Sequence, residues 1–380
     1  MRLQISGPHQ LSRSTYTMMF FDAEEGEFVV VGAKRDRSKM RDLLFQQYTN
    51  FKIKRSNKRC DCLICLPDSD WWVSRGDVRK PFFDDQGIST VYLRLPYNRS
   101  EDVEKQIQIS KPSTVLIHAM SLTGEKVHQL ADKFPKIKFL AINHSTQSHM
   151  VNRPALVRSN RDCILAALEK SNVFYFTPDE RNSLGVTLGN TEKIGWSPNP
   201  VELPSTLCEI PNRNSICLAS REDIIKNIPQ TLMAAKQVQD ATQMKTYSLM
   251  NARAGEFDMN VWRDSYQIQI EELPWKKRED WLYFLSESVA LTFQCSFTET
   301  FNYVAIESML CGVPVVCSPA IRYAPKEWQA NPDSVEEMRD IALKILMDHE
   351  NQSKRATDIG MNYAHEMNMA YTEWVKKYVA

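Results

Sequence analysis

The sequence predicts an α/β chain built on two wound parallel sheets. Apolar β-like runs alternate with amphipathic segments almost from end to end, the pattern of a parallel sheet with helices on both faces. At 380 residues the chain is long for one core and comfortable for two domains. The alternation breaks at Gly195-Trp-Ser-Pro-Asn-Pro-Val-Glu-Leu-Pro204, which holds three prolines, and then resumes. The expected organisation is a domain over residues 1–197, a second over 198–362, and a closing amphipathic, aromatic helix over 363–380.

Element by element, Leu3-Gln-Ile-Ser-Gly7 reads as a strand, with a loop to Ser14 and a helix through Phe21. Phe28-Val-Val-Val31 follows as a strand and residues 39–48 as a helix. Strands are expected at 62–66, 90–95, 114–118, 137–142 and 173–176, with helices at 102–109, 124–134 and 161–170 between them. Ile216-Cys-Leu-Ala219 opens the second alternation, and the chain turns strongly helical after Pro332.

Composition narrows the function classes. Hydrophobic residues make up 43% of the chain, which supports globular folding. No apolar run approaches the roughly 20 residues of a membrane helix, and the first residues lack the apolar core of a signal peptide. A cytoplasmic location is expected, in the host cytoplasm if the source is viral. Nine cysteines at irregular spacing suit free thiols. The cluster Cys60, Cys62 and Cys65 has no fourth ligand nearby and reads as small apolar residues on a buried strand, so no metal is expected. Formal net charge is zero. Between Lys34 and Arg59, however, ten lysines and arginines face only Asp36 and Asp42, with Phe45, Tyr48 and Phe51 interleaved. A solvated helix face and loop is the plainer reading; a surface for a polyanion is the other.

The most informative stretch is Ser296-Phe-Thr-Glu-Thr-Phe-Asn-Tyr-Val-Ala-Ile-Glu-Ser-Met-Leu-Cys-Gly-Val-Pro-Val-Val316. Glu299 and Glu307 lie eight positions apart. Phe301, Val304, Ala305, Ser308 and Met309 recur at helical spacing, Gly312 can close the helix as a left-handed cap, and residues 313–317 read as a buried strand. A helix N-terminus beside the carboxyl end of a strand favours phosphate, through its free N–H groups and dipole. Two nearby carboxylates would then grip sugar or ribose hydroxyls.

These words resemble the donor motif of retaining family-4 glycosyltransferases, which have the GT-B fold. That resemblance implies two Rossmann-like domains facing a cleft and a C-terminal helix crossing back to the first domain. It also implies a nucleoside-diphosphate sugar as donor substrate, with no further cofactor. Glu299 would meet the transferred sugar and Glu307 the ribose, with Thr300, Phe301 and Asn302 around them. Asn302 stands where the family commonly has glycine. Ser220-Arg-Glu-Asp-Ile-Ile-Lys-Asn227 resembles the segment whose arginine and lysine neutralise the diphosphate, which assigns that role to Arg221 and Lys226; Asn227 again replaces a frequent glycine.

The acceptor side is less legible. His118 and His144 end apolar strands; the family often has a histidine at the second place, near the sugar. His9 and Ser14 follow the first expected strand, where the family has its acceptor loop. Enzymes that glycosylate hydroxymethylated bases in viral DNA share the fold, so Lys52, Lys54 and Arg55 of the basic stretch are candidate DNA contacts. Carbohydrate or lipid-linked acceptors remain open, as does a non-catalytic nucleotide-sugar binder, and oligomeric state is not indicated. Asp68-Ser-Asp70 reads as a turn, and the sequons at Asn98, Asn143 and Asn351 carry little weight in a cytoplasmic chain.

Overall fold

The computed structural model describes residues 15–22, 27–34, 58–67, 78–95, 98–118, 121–144, 154–178, 192–204, 213–220, 224–249, 259–274, 276–299 and 301–380. The chain divides into two compact units, Met1–Lys54 and Arg55–Ala380. In the first, β1 (Thr15–Asp22) and β2 (Glu27–Lys34) pair antiparallel, Thr15 opposite Lys34 and Asp22 opposite Glu27. The helix expected through Phe21 is therefore a strand. Thr15-Tyr-Thr and Phe20-Phe21 are β-branched and aromatic, and pairing with β2 settles what periodicity left ambiguous. The expected strand at 3–7, the helix at 39–48, His9, Ser14, Lys52 and Lys54 lie outside the described residues of this unit. Arg55, the Asp68-Ser-Asp70 turn, Arg221 and Thr300 lie outside those of the second.

The second unit holds two parallel sheets. The strands β3 (Cys62–Pro67), β4 (Thr90–Leu95), β5 (Thr114–His118), β6 (Lys138–Ile142), β7 (Val173–Thr177) and β8 (Ile194–Trp196) form a six-stranded sheet in the order β4-β3-β5-β6-β7-β8. Helices α1 (Ser100–Ser110), α2 (Gly124–Lys133) and α3 (Pro154–Glu169) make its crossovers. Cys62, Cys65, Leu63 and Ile64 are completely buried on β3, so this cysteine cluster is core, and burial raises the Cys62 and Cys65 thiols above their usual range. Among the described residues no group of His, Cys, Asp or Glu is arranged to hold a metal ion, and no helix is long and apolar enough to cross a membrane.

The second sheet has β9 (Ser215–Leu218), β10 (Lys245–Ser248), β11 (Glu271–Glu272), β12 (Val289–Gln294) and β13 (Val315–Cys317) in the order β11-β10-β9-β12-β13. Its helices are α4 (Ile228–Thr242), α5 (Met259–Tyr266), α6 (Arg278–Ser288), α7 (Tyr303–Leu310) and α8 (Val335–Met347). The chain lays β10 and β11 on one side of β9, then reverses to place β12 and β13 on the other. The carboxyl ends of β9 and β12 therefore flank a topological switch point, where open α/β sheets leave a crevice for ligands.

A single helix, α9 (His349–Tyr378), serves both sheets. Its first half packs small residues on α7: Ala356 and Ala364 are buried, and a Cβ on Gly360 would fall 2.8 Å from the Leu310 backbone nitrogen. Its last turns enter the core of the first sheet, where Trp374 meets Phe176 edge-on at 5.2 Å and Tyr371 meets Phe82 at 5.3 Å.

Candidate functional site

Helix α7 is fixed at both ends. Asn302 has extended backbone and its Oδ1 accepts the Ala305 N–H at 2.9 Å, a side-chain N-cap. At the other end Gly312 has φ +69° and its N–H reaches the Met309 carbonyl at 2.9 Å, while the Val313 N–H reaches Ser308 at 2.9 Å. This is a Schellman closure, with the left-handed residue where the sequence places it. Arg213 adds a cation to the negative end of the dipole, donating to the carbonyls of Gly312 at 2.6 Å and Cys311 at 2.8 Å. Ile306, Met309 and Leu310 are fully buried, each adding about 1.5–3 kcal/mol of apolar burial.

Glu299 sits in the turn between β12 and α7, 6% exposed. Its Oε1 accepts from the Lys226 ammonium in a buried ion pair, from the Ser296 hydroxyl at 2.8 Å and from the Asn302 amide at 3.1 Å. The two members of the pair are 73 residues apart in sequence. They meet because Lys226 follows β9, Glu299 follows β12, and those strands are neighbours. Asn227, next to Lys226, has φ +55° and ψ +44°, the left-handed region. Glycine takes that conformation freely, and asparagine is among the few other residues that tolerate it. The Asn227 amide also ties this turn to the carbonyls of Cys295 at 3.2 Å and Pro332 at 2.5 Å.

Asn302, at the other glycine position, turns its amide inward to Glu299 and to Gln294 at 3.0 Å, and is 5% exposed. Phe301 lies against Tyr303 at 4.6 Å and Tyr363 at 6.2 Å, part of an aromatic cluster in which Tyr323 and Tyr363 stack at 4.3 Å. The Tyr323 hydroxyl donates to the Asn302 carbonyl at 2.6 Å, and burial, then the neighbouring Tyr363 and Glu299, push its phenol well above the usual range.

Glu307, on α7, is 3% exposed. Its Oε1 accepts from Arg278 Nε at 3.1 Å and its Oε2 from the indole N–H of Trp281 at 3.2 Å. The structure thus anchors both glutamates of the motif, through different partners.

At the first sheet, His118 ends β5 and His144 lies just beyond β6. Their rings are 5.3 Å apart at 25°, with Nδ1 of His118 3.0 Å from Nε2 of His144. One of these nitrogens carries the proton and the other accepts it. Burial first, then the charge of Arg79, holds both imidazoles well below their usual range and so neutral. His118 faces a small cavity of about 30 Å³ also lined by Asn143, Ser159, Asn160 and Tyr175. Arg79, 2% exposed, donates to Asn199 Oδ1 at 3.2 Å. Sequence reasoning singles out neither Arg79, Arg278 nor Trp281. Val-Arg-Lys80 and Lys-Lys-Arg278 read as ordinary solvated basic clusters, and only Trp281 one helical turn after Arg278 hints at a buried face.

Two doubly wound parallel sheets, joined by the segment after β8 and by a shared C-terminal helix, define a GT-B fold. No protein-family model matches the sequence, and no curated protein matches it. Solved structures do. Sucrose-phosphate synthase from Thermosynechococcus elongatus aligns with a TM-score of 0.65 and 12% identity, over 83% of this chain and 97% of that one. An α,α-trehalose-phosphate synthase (UDP-forming) from Burkholderia vietnamiensis gives 0.59 and 8%, over 84% and 97%. An α-glucosyltransferase in complex with UDP and a 13-mer DNA containing a HMU base gives 0.58 and 11%, over 83% and 100%. At these identities the likeness establishes the fold.

Proposed function

We propose that the chain is a family-4-like glycosyltransferase that moves a sugar from a nucleoside diphosphate to an acceptor hydroxyl with retention at the anomeric carbon. The observation that carries this reading is the buried meeting of Lys226 and Glu299 at the switch point of the second sheet. A cation with a carboxylate beside it, at the kind of strand-end crevice where open α/β sheets bind ligands, supports that reading. The UDP-forming synthase and the α-glucosyltransferase solved with UDP among the structural neighbours support the same class.

In this reading the donor diphosphate enters beside Lys226, and phosphate oxygens take over the ammonium that Glu299 now holds; Arg221 is assigned to the same diphosphate by the sequence resemblance alone. Glu299 is then available to accept from a sugar hydroxyl, steadied by Ser296 and Asn302. Glu307 accepts from the ribose. As the bond from the anomeric carbon to the diphosphate breaks, negative charge grows on phosphate, and the fixed cations stabilise it in a water-poor cleft. The acceptor oxygen bonds to the anomeric carbon on the face the diphosphate leaves, and its proton passes to a phosphate oxygen. His144, held neutral, contributes a hydrogen bond to the sugar without competing for that proton.

For the acceptor we carry forward a hydroxymethylated base in DNA. The ten-to-two excess of basic over acidic residues between Lys34 and Arg59 suits a polyanion, and one neighbour was solved with DNA containing a HMU base. A cytoplasmic setting fits both substrates. The test is nucleotide release from UDP-, GDP- and ADP-sugars, each with hydroxymethylated DNA, unmodified DNA or an oligosaccharide. Release stimulated by hydroxymethylated DNA supports the whole reading, and stimulation by the oligosaccharide alone replaces the acceptor. Binding without release from any donor overturns the transferase reading.

A further inference from the structure

The segment joining the two sheets is fastened at three nearby points. Asn199 accepts from Arg79. Val201 exchanges both backbone groups with the Asn368 side chain of α9, each at 2.8 Å. Glu202 accepts from Arg278, through its carboxylate at 2.5 Å and its carbonyl at 3.2 Å. The third contact differs from the others because the same guanidinium also holds Glu307.

Arg278 is the first residue of α6, and a cation there opposes the helix dipole. Its position is offset by two carboxylates, Glu307 almost wholly buried and Glu202 half exposed at 52%. The guanidinium is planar and its donors lie in a fixed fork. With the NH1 and NH2 ends seated on Glu202, Nε can meet Glu307 in only one orientation. Arg278 and Trp281 each donate to a different carboxylate oxygen of Glu307, so the plane of that carboxylate follows the guanidinium and the indole.

We propose that Arg278 is a positioning residue for ribose recognition, and that Glu202 of the joining segment sets it. Glu202 orients Arg278, Arg278 orients Glu307, and Glu307 distinguishes a ribose from a sugar lacking its hydroxyls. This rests on the donor-site reading above, in which Glu307 faces the ribose.

The experiment compares binding of UDP and of 2′,3′-dideoxy-UDP by calorimetry, with GDP and ADP run as alternatives for the base. Wild-type protein should prefer the ribonucleotide by about 10–100-fold, the range of charge-assisted hydrogen bonds. Arg278→Met should bring that ratio close to 1, with Arg278→Lys restoring part of it. Glu202→Ala, at a half-exposed site, should lower the ratio by about two- to fivefold and should have no further effect in the Arg278→Met background. A fall in affinity equal for both nucleotides would mean a merely structural role and would overturn the proposal. Failure of the wild type to bind any of the three ribonucleotides would instead overturn the donor-site reading, and binding without ribose preference would remove Glu307 from the ribose. An unchanged ratio in Glu202→Ala, with wild-type preference intact, sinks the positioning role alone.

Discussion

Replacing Lys226 by methionine keeps most of the side-chain volume and removes the ammonium. The pair it breaks is well shielded, with 11% of the Lys226 side chain and 5% of the Glu299 side chain exposed. Ser296 and Asn302 remain as neutral donors to the same oxygen, but among the described residues the cation paired with Glu299 is gone. Removing one partner of a buried pair costs about 3–5 kcal/mol, most of it the penalty of stranding the other charge. The double variant Lys226→Met/Glu299→Gln discards both charges while keeping an oxygen for Ser296 and Asn302, so it should recover to within about 1 kcal/mol of wild type. Urea unfolding followed by tryptophan fluorescence reads both. Activity should part company with stability: both variants lose a phosphate-stabilising cation, and turnover should fall by about 10²–10³ in each. A single variant as stable as wild type, or a stable double variant with normal turnover, would refute the reasoning.

Three further outcomes follow from the same geometry. Asn302→Gly, which restores the residue common in the resembling family, should cost about 1 kcal/mol through the lost cap and amide contacts; thermal melting checks it, and a stabilised variant would contradict the cap. At Asn227, valine should be worse than glycine by about 1–2 kcal/mol, because only valine adds left-handed strain while both lose the contacts to Cys295 and Pro332; equal urea midpoints would contradict this. His118 is buried and neutral, so below about pH 6.5 the unfolded chain takes up a proton that the folded chain refuses. The stability this histidine contributes is complete above that pH and is lost on acidification at about 1.4 kcal/mol per pH unit. His118→Asn should flatten the dependence of the urea midpoint between pH 7 and 5.5, and an unchanged slope would contradict the assignment.

Local patterns carried much of the fold. Strands 90–95 and 114–118 fall where alternation and apolar runs place them, as do the Gly312 turn and the α7 helix, because the signal and the element occupy the same few residues. Residues 15–22 show the limit: a short apolar-aromatic run suits helix or strand, and the partner strand decides. The spacing of Glu299 and Glu307 was visible for the same local reason. Their partners were not, since Lys226 reaches Glu299 only through the adjacency of β9 and β12, and Arg278 reaches Glu307 only through the packing of α6 on α7. The two asparagines at glycine positions have physical explanations only in three dimensions, one as a left-handed residue and one as a cap that braces a carboxylate.

The central claim is that Lys226, Glu299 and Glu307 form a site for a nucleoside-diphosphate sugar. Proton NMR of an α-linked UDP-, GDP- or ADP-sugar incubated with the protein and hydroxymethylated DNA tests it most directly. The account predicts appearance of the nucleoside diphosphate together with an α-configured glycoside, both abolished by Glu299→Gln. A β-configured product would contradict the retaining mechanism, and unchanged turnover in Glu299→Gln would contradict the site.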